Sequence, residues 1–256
     1  MAAKPVALVL SGFGLNCERE TALAFESAGA EPRIVHLPDL AAAPEQARGS
    51  AIIAVPGGFS FGDHLGAGNA LASYLEAHLA ETLRDHVARG GLMIGICNGC
   101  QTLTRLGLLG PDLAVTHNAG QDAASSYECR WVHVAARGDR TSPWLAGIDR
   151  LHLPVAHGEG RFVGEALRPA LTYVDADGHP AGGRYPANPN GAGADTAGVL
   201  DATGRILALM PHPERYLRVE QHPTWTRLRE ETLRSGAMPP SEGAGLAIFR
   251  NAVAAA

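Results

Sequence analysis

Aromatic residues make up only 5% of this 256-residue chain, and cysteine occurs four times. Four scattered cysteines (Cys17, Cys97, Cys100, Cys129) argue against a disulfide scaffold and for a reduced, cytoplasmic protein. No apolar run approaches the roughly 20 residues a helix needs to cross a bilayer. The opening Met1-Ala-Ala-Lys-Pro-Val6 passes straight into a strand-like run, with no signal-peptide layout, and at this length the chain reads as a free-standing subunit. An excess of positive charge is also missing. Lys and Arg total 21 against 26 Asp and Glu, a net charge of −5, which leaves no footprint for nucleic acid. What is plentiful is glycine, at 31 residues, and short apolar runs; 46% of the residues are hydrophobic. That suffices for one sizeable core. No repeat or linker divides the chain, so residues 1–256 read as a single domain.

The first half alternates strand and helix. Pro5–Leu10, Arg33–Leu37, Ala51–Val55 and Leu92–Ile96 are apolar runs bounded by turn residues, the mark of buried parallel strands. Glu18–Ala28, Asn69–Arg89 and Gly99–Leu109 carry helical spacing and end near glycine. This order predicts an α/β fold, an open and mostly parallel sheet with helices on both faces and a flavodoxin-like core. The second half adds strand-like segments at 127–134, 151–155, 171–174, 197–200 and 205–210, which predict a small antiparallel extension. Residues 177–196, rich in Gly, Pro, Ala and Asn, read as an exposed loop, and the tail from His222 as one or two helices.

In a parallel sheet the site lies at the carboxyl ends of the strands. There the run Leu92–Ile96 stops at Cys97, flanked by Gly95 and Gly99. This is the form of a nucleophile elbow: a strand, a strained turn carrying the nucleophile, then a helix whose N–H groups favour a thiolate. On the elbow alone, a catalytic thiol and a buried structural cysteine weigh equally. Met210-Pro-His-Pro-Glu214 tips the balance. It follows another apolar run, and Pro213 biases His212 toward an extended conformation. Residues two apart in an extended chain share a side, so Glu214 can orient His212 while the ring faces Cys97. Cys97-x-x-Cys100 also fits a redox dithiol, but a dithiol needs neither Pro-His-Pro-Glu nor the Gly57-Gly58 turn. No second close ligand pair suggests a metal site. Gly12-Phe-Gly14 lacks the final glycine of a dinucleotide fingerprint and reads as a tight strand–helix turn.

The order Cys, His, then Glu two residues on resembles the class I glutamine amidotransferases. Gly95-Ile-Cys-Asn-Gly-Cys-Gln101, Gly57-Gly-Phe-Ser-Phe-Gly-Asp63, Phe13-Gly-Leu-Asn-Cys-Glu18, Tyr127-Glu-Cys-Arg130, His157-Gly-Glu-Gly-Arg161, Asn188-Pro-Asn-Gly191 and Met210–Arg215 are similar, in family order, to the glutaminase component of phosphoribosylformylglycinamidine synthase. Gly66 and Ala192 depart from the usual pattern. The resemblance implies glutamine hydrolysis through a γ-glutamyl thioester, with Cys97 as nucleophile, His212 as base and Glu214 as its orienter. It implies an oxyanion hole from the N–H groups of Gly58 and Asn98, and contacts to glutamine or its surrounding strand from Gln101, Glu128 and Arg130. It further implies a synthetase partner that receives the ammonia and uses ATP and Mg, no cofactor in this subunit, and leaves open a third, small subunit. A glutaminase serving a different synthetase is the alternative. Glu128 and Arg130 read equally well as one solvated strand face, and His157–Arg161 reads as a wall of the ammonia path or a partner-facing surface.

Overall fold

The computed structural model describes residues 3–119, 127–137, 142–165 and 167–256. In chain order the elements are β1 (Val6–Ser11), α1 (Glu18–Ala28), β2 (Glu31–His36), α2 (Leu37–Ala42), β3 (Ile52–Val55), α3 (Asn69–His78), α4 (Ala80–Ala88), β4 (Leu92–Ile96), α5 (Asn98–Arg105), β5 (Ala114–His117), β6 (Glu128–Ala136), β7 (Arg150–His157), β8 (Glu159–Val163), β9 (Pro169–Val174), β10 (Thr196–Leu200), β11 (Ile206–Leu209), α6 (Trp225–Arg234) and α7 (Leu246–Ala255).

Nine strands form one sheet in the order β2-β1-β3-β4-β11-β10-β9-β6-β7. From β2 to β11 the neighbours run parallel. From β11 to β7 they run antiparallel, so the antiparallel extension continues the same sheet. β5 and β8 make a separate antiparallel pair, which the sequence pattern does not signal. The parallel strands are continuous apolar runs because both their faces are covered. Ala7, Val9, Ile52, Ala54, Leu92 and Ile94 enter one core with Phe25 of α1 and Phe249 of α7. Leu8, Leu10, Ile53, Val55 and Met93 enter the other, with Leu71 and Leu75 of α3. Phe25 and Phe249 meet edge to face, with centroids 5.0 Å apart, so the C-terminal helix is fastened onto the first. No helix among the described residues is long and apolar enough to cross a membrane.

Two expectations need correction. The single helix over 69–89 is two helices, because Leu79 leaves the helical region at φ −136, ψ 2. In an unbroken helix each step of four residues drifts about 40° around the axis. The break re-aims the second segment, so Leu71, Leu75, Leu79 and Leu83 all reach the same core. Residues 177–196 are not simply an exposed loop: Asn188, Asn190 and Asp195 are buried. Asn188 donates to Ala192 O at 3.0 Å and to Asp195 Oδ1 at 2.9 Å, and its Oδ1 accepts the N–H of Gly191 at 2.9 Å. Asn190 donates to Gly160 O at 2.8 Å. The polar composition that suggested solvent instead supplies the partners that let an irregular backbone be buried.

Candidate active site

Four adjacent parallel strands, β1, β3, β4 and β11, end on one edge of the sheet. The segments that follow them carry the chemistry. After β4, Cys97 adopts φ 51, ψ −104, a region costly for a residue with a Cβ and found where a site over-determines it. The flanking glycines have steric reasons. A Cβ on Gly99 would lie 1.9 Å from Val55 O, and one on Gly95 would lie 2.7 Å from Gly99 O. The elbow can therefore form only with both glycines in place. Cys97 is the N-cap of α5, so the first, unpaired backbone N–H groups of the helix open toward the turn that carries it. Its Sγ lies 3.6 Å from Ala156 O on β7. Three residues on, Cys100 is fully buried, and burial first of all pushes its thiol far above the ordinary range; it packs against the sheet as expected.

After β11, the N–H of His212 donates to Pro154 O at 2.8 Å. Pro213–Arg215 forms a single 3-10 turn, and within it Glu214 Oε1 lies 2.5 Å from His212 Nδ1. The two side chains thus pair across a tight turn rather than along an extended strand. Both residues are 1% exposed. Burial opposes the protonated imidazole, but Glu214, then Cys97 and Cys17, outweigh it and raise the His212 pKa well above its ordinary value. His212 Nε2 and Glu214 Oε2 are buried without a hydrogen-bond partner. Gly57, after β3, marks where the groups converge. A Cβ there would lie 2.8 Å from His212 Cε1, 3.3 Å from Cys17 Sγ and 3.5 Å from the Cβ of Cys97.

The Gly57-Gly58 turn is held by backbone. The N–H groups of Asn16 and Cys17 both donate to Gly57 O, at 3.1 and 3.2 Å. Gly58 has φ 153, and a Cβ on it would lie 2.6 Å from Gly14 O. Asn98 is braced on three sides: its Oδ1 accepts the Ser60 N–H at 3.2 Å, and its Nδ2 donates to Asp63 Oδ1 and Gln101 Oε1, each at 3.0 Å. Burial raises the Asp63 pKa, and the bond from Asn98 opposes that rise. Gln101 also donates to Glu159 O, so its carboxamide is engaged at both ends. It joins α5 to β8.

Glu128 is 4% exposed and pairs with Arg130 Nε at 2.7 Å. The Arg130 guanidinium lies over the Tyr185 ring at 4.6 Å. These residues therefore form a buried-to-surface pair rather than an open solvated face. Beside them, Tyr127 stacks with Phe59 at 6.4 Å, and both rings are about half exposed. Burial first, then Cys97, raises the Tyr127 pKa. His157, the last residue of β7, is buried and held neutral: burial, then His212, lowers its pKa to about 3.

Sequence reasoning assigned no role to Cys17 or Arg215, yet Arg215 Nη2 donates to Cys17 Sγ at 3.0 Å beside the His212–Glu214 pair. The signal was available. Cys17 follows the end of β1 on the same sheet edge that singled out Gly57 and Cys97. Ligand atoms of Cys17, His212 and Glu214 lie within 4.8 Å of one another, a donor set suited to a borderline-soft divalent ion. Here, however, His212 Nδ1 is spent on Glu214. The exposed trio Asp175, Asp177 and His179 is a turn in which Asp175 Oδ1 accepts the N–H of Asp177 and of His179.

The chain matches the CobB/CobQ-like glutamine amidotransferase domain over residues 4–254. It is 43% identical to phosphoribosylformylglycinamidine synthase subunit PurQ of Methanococcus maripaludis, over 97% of this chain and 96% of the relative. It is likewise 43% identical to the PurQ of Dehalococcoides mccartyi, over 98% and 97%. Among solved structures it is similar to a chain of PurLQS from Thermotoga maritima, with a TM-score of 0.72 and 29% identity, covering 98% of both chains. A putative GMP synthase component from Thermoplasma acidophilum shares the fold, at 14% identity and a TM-score of 0.60 over 100% of this chain and 95% of that one. The chain belongs to the glutamine amidotransferase family and, within it, to the PurQ subunits of phosphoribosylformylglycinamidine synthase.

Proposed function

We propose that this subunit hydrolyses glutamine and passes the ammonia to a synthetase subunit, which converts phosphoribosylformylglycinamide to its amidine in purine synthesis. The observation that carries this reading is the convergence of a strained Cys97 and a buried His212–Glu214 pair on Gly57. Cys97 Sγ attacks the side-chain carbonyl carbon of glutamine as His212 takes the thiol proton. The tetrahedral oxyanion is received by the N–H groups of Gly58 and Asn98, each worth roughly 3–4 kcal/mol of barrier. His212 then gives its proton to the departing nitrogen, the C–N bond breaks, and ammonia leaves a γ-glutamyl thioester. Water, deprotonated by His212, attacks the thioester, and glutamate departs as Cys97 recovers its proton. Glu214 holds Nδ1 throughout, keeping Nε2 free for this traffic.

In this reading Gln101 positions Asn98, while Glu128 and Arg130 support the strand beside the site. The synthetase supplies the ATP and Mg chemistry, and a third, small subunit joins the complex, by analogy with the PurLQS assembly of Thermotoga maritima. The subunit itself carries no cofactor and works in the cytoplasm. The test is Cys97→Ala in the reconstituted complex. Glutamine-dependent amidine formation is expected to disappear while ammonia-dependent formation persists. Retention of glutamine-dependent activity would refute the mechanism. Absence of amidine from wild-type protein mixed with the purine synthetase would refute the choice of partner.

A further inference from the structure

We propose that Cys17 is a positioning residue for the His212–Glu214 pair, acting through Arg215. The inference rests on the reading of Cys97, His212 and Glu214 as the catalytic set. Cys17 is fully buried at the N-terminal end of α1. Burial alone would be served by alanine or valine, but the Cys17 sulfur has polar partners. It accepts a hydrogen bond from Arg215 Nη2 at 3.0 Å, and its thiol reaches Asn16 Oδ1 at 3.3 Å. Arg215 Nε in turn lies 4.0 Å from Glu214 Oε1. Sulfur, imidazole nitrogen and carboxylate oxygen are mutually within 4.8 Å. The four side chains thus close a ring: Cys17 anchors Arg215, Arg215 sits beside Glu214, Glu214 holds His212, and Cys17 flanks His212.

The need for an anchor is physical. The Arg215 side chain is 37% exposed, and a long, half-exposed guanidinium has many alternatives in water. A hydrogen bond to a fully buried sulfur removes them and fixes the positive charge next to Glu214. That holds the Glu214 carboxylate aimed at Nδ1. Cys17 also serves the opposite side of the site, since its backbone N–H holds Gly57 O at 3.2 Å. A side-chain substitution leaves that backbone bond in place and isolates the effect on the base.

The charged and titratable groups around His212 are Glu214, Cys97, Cys17, His157, Tyr127 and Arg215. Of these, Cys17 is among the groups that favour the imidazolium. Removing its sulfur lowers the His212 pKa, so the acid limb of the pH–rate profile, below which His212 is protonated and cannot take the thiol proton, moves to lower pH.

The experiment compares Cys17→Ala, Cys17→Ser, Arg215→Gln and Cys97→Ala in the complex assembled with the synthetase. Glutamine turnover is measured across pH, and ammonia-dependent synthesis serves as the measure of folding and docking. Cys17→Ala is expected to lower kcat roughly 10-fold or more, the usual scale for a residue that orients a catalytic ligand. KM is expected to stay within about twofold, with the acid limb displaced to lower pH. Cys17→Ser, which still offers Arg215 an acceptor, restores most of kcat. Arg215→Gln reproduces the alanine defect, and the Cys17→Ala, Arg215→Gln double variant loses no more than either alone. A wild-type kcat and pH profile in Cys17→Ala, with Cys97→Ala inactive, overturns the positioning role and leaves the catalytic set standing. A kcat loss with an unmoved pH profile and no rescue by serine overturns it too, by marking a packing defect. Turnover by Cys97→Ala removes the catalytic reading beneath it. If Cys17→Ala does not accumulate, Arg215→Gln decides: a kcat loss of about tenfold with KM within about twofold and ammonia-dependent synthesis intact supports the proposal, and a wild-type kcat overturns it.

Discussion

The parallel and antiparallel halves of the sheet are built from similar residues but do different work. In the parallel half, strand direction is uniform, so the segments after β1, β3, β4 and β11 emerge on one edge and bring Cys17, Gly57, Cys97 and His212 together. Their side chains are buried and their spacing is fixed by glycines that nothing larger can replace. In the antiparallel half, strand ends alternate, and no comparable gathering of strand termini arises among the described residues. That half contributes edges and walls: Pro154 O toward His212 and Ala156 O toward Cys97. The difference teaches that direction of strands, more than composition, decides where reactive groups accumulate.

The division can be broken by mutation. Glu214→Gln, in the parallel half, removes the charge that orients His212 and is expected to lower glutamine turnover by about 10³-fold or more. Arg130→Ala, in the antiparallel half, is expected to cost less than about tenfold on the same scale. Steady-state glutaminase kinetics in the complex checks both, and equal losses would erase the distinction. Next in size, Phe25→Ala is expected to destabilise the fold by about 3–5 kcal/mol, read from denaturant unfolding, because Phe25 fastens α7 to α1. A loss below about 1 kcal/mol, on the order of an exposed-site change, would show that α7 docks independently.

The smallest effect concerns acid. On β7, burial first, and then His133 and His222, lower the His152 pKa to about 4; its ring stacks on His133 at 4.0 Å and its Nδ1 lies 2.7 Å from His222 Nε2. Between the ordinary histidine value of about 6.5 and about 4, the unfolded chain binds a proton that the folded one refuses. The stability therefore falls as pH drops through that window. Melting temperatures at pH 7 and pH 5 should differ less in His152→Gln than in the wild type. An unchanged difference would remove His152 as a source of acid sensitivity in this half.

Legibility in the sequence followed the range of the interaction. β4 and α1 were readable to the residue, because an apolar run ending at a turn and an amphipathic segment closed by Gly29 are local signals. Cys97, His212 and Glu214 were readable because each lies just past an apolar run. The two-helix break at Leu79 was not, since the residue is an ordinary leucine whose backbone is set by the core it must reach. The burial of Asn188, Asn190 and Asp195 was not, because a polar segment that supplies its own partners has the composition of a solvated one. Cys17 and Arg215 lie 198 positions apart, and only the shared sheet edge makes them neighbours.

By itself the sequence determined the strand–helix alternation, the strained elbow and the identity of the residues that pair at the site, because steric and periodic rules act over a few residues. The tertiary structure alone decided which strand ends meet, which side chains brace them, and that a second thiol stands beside the base. Those outcomes depend on burial and strand order, which bring together residues that share no local pattern.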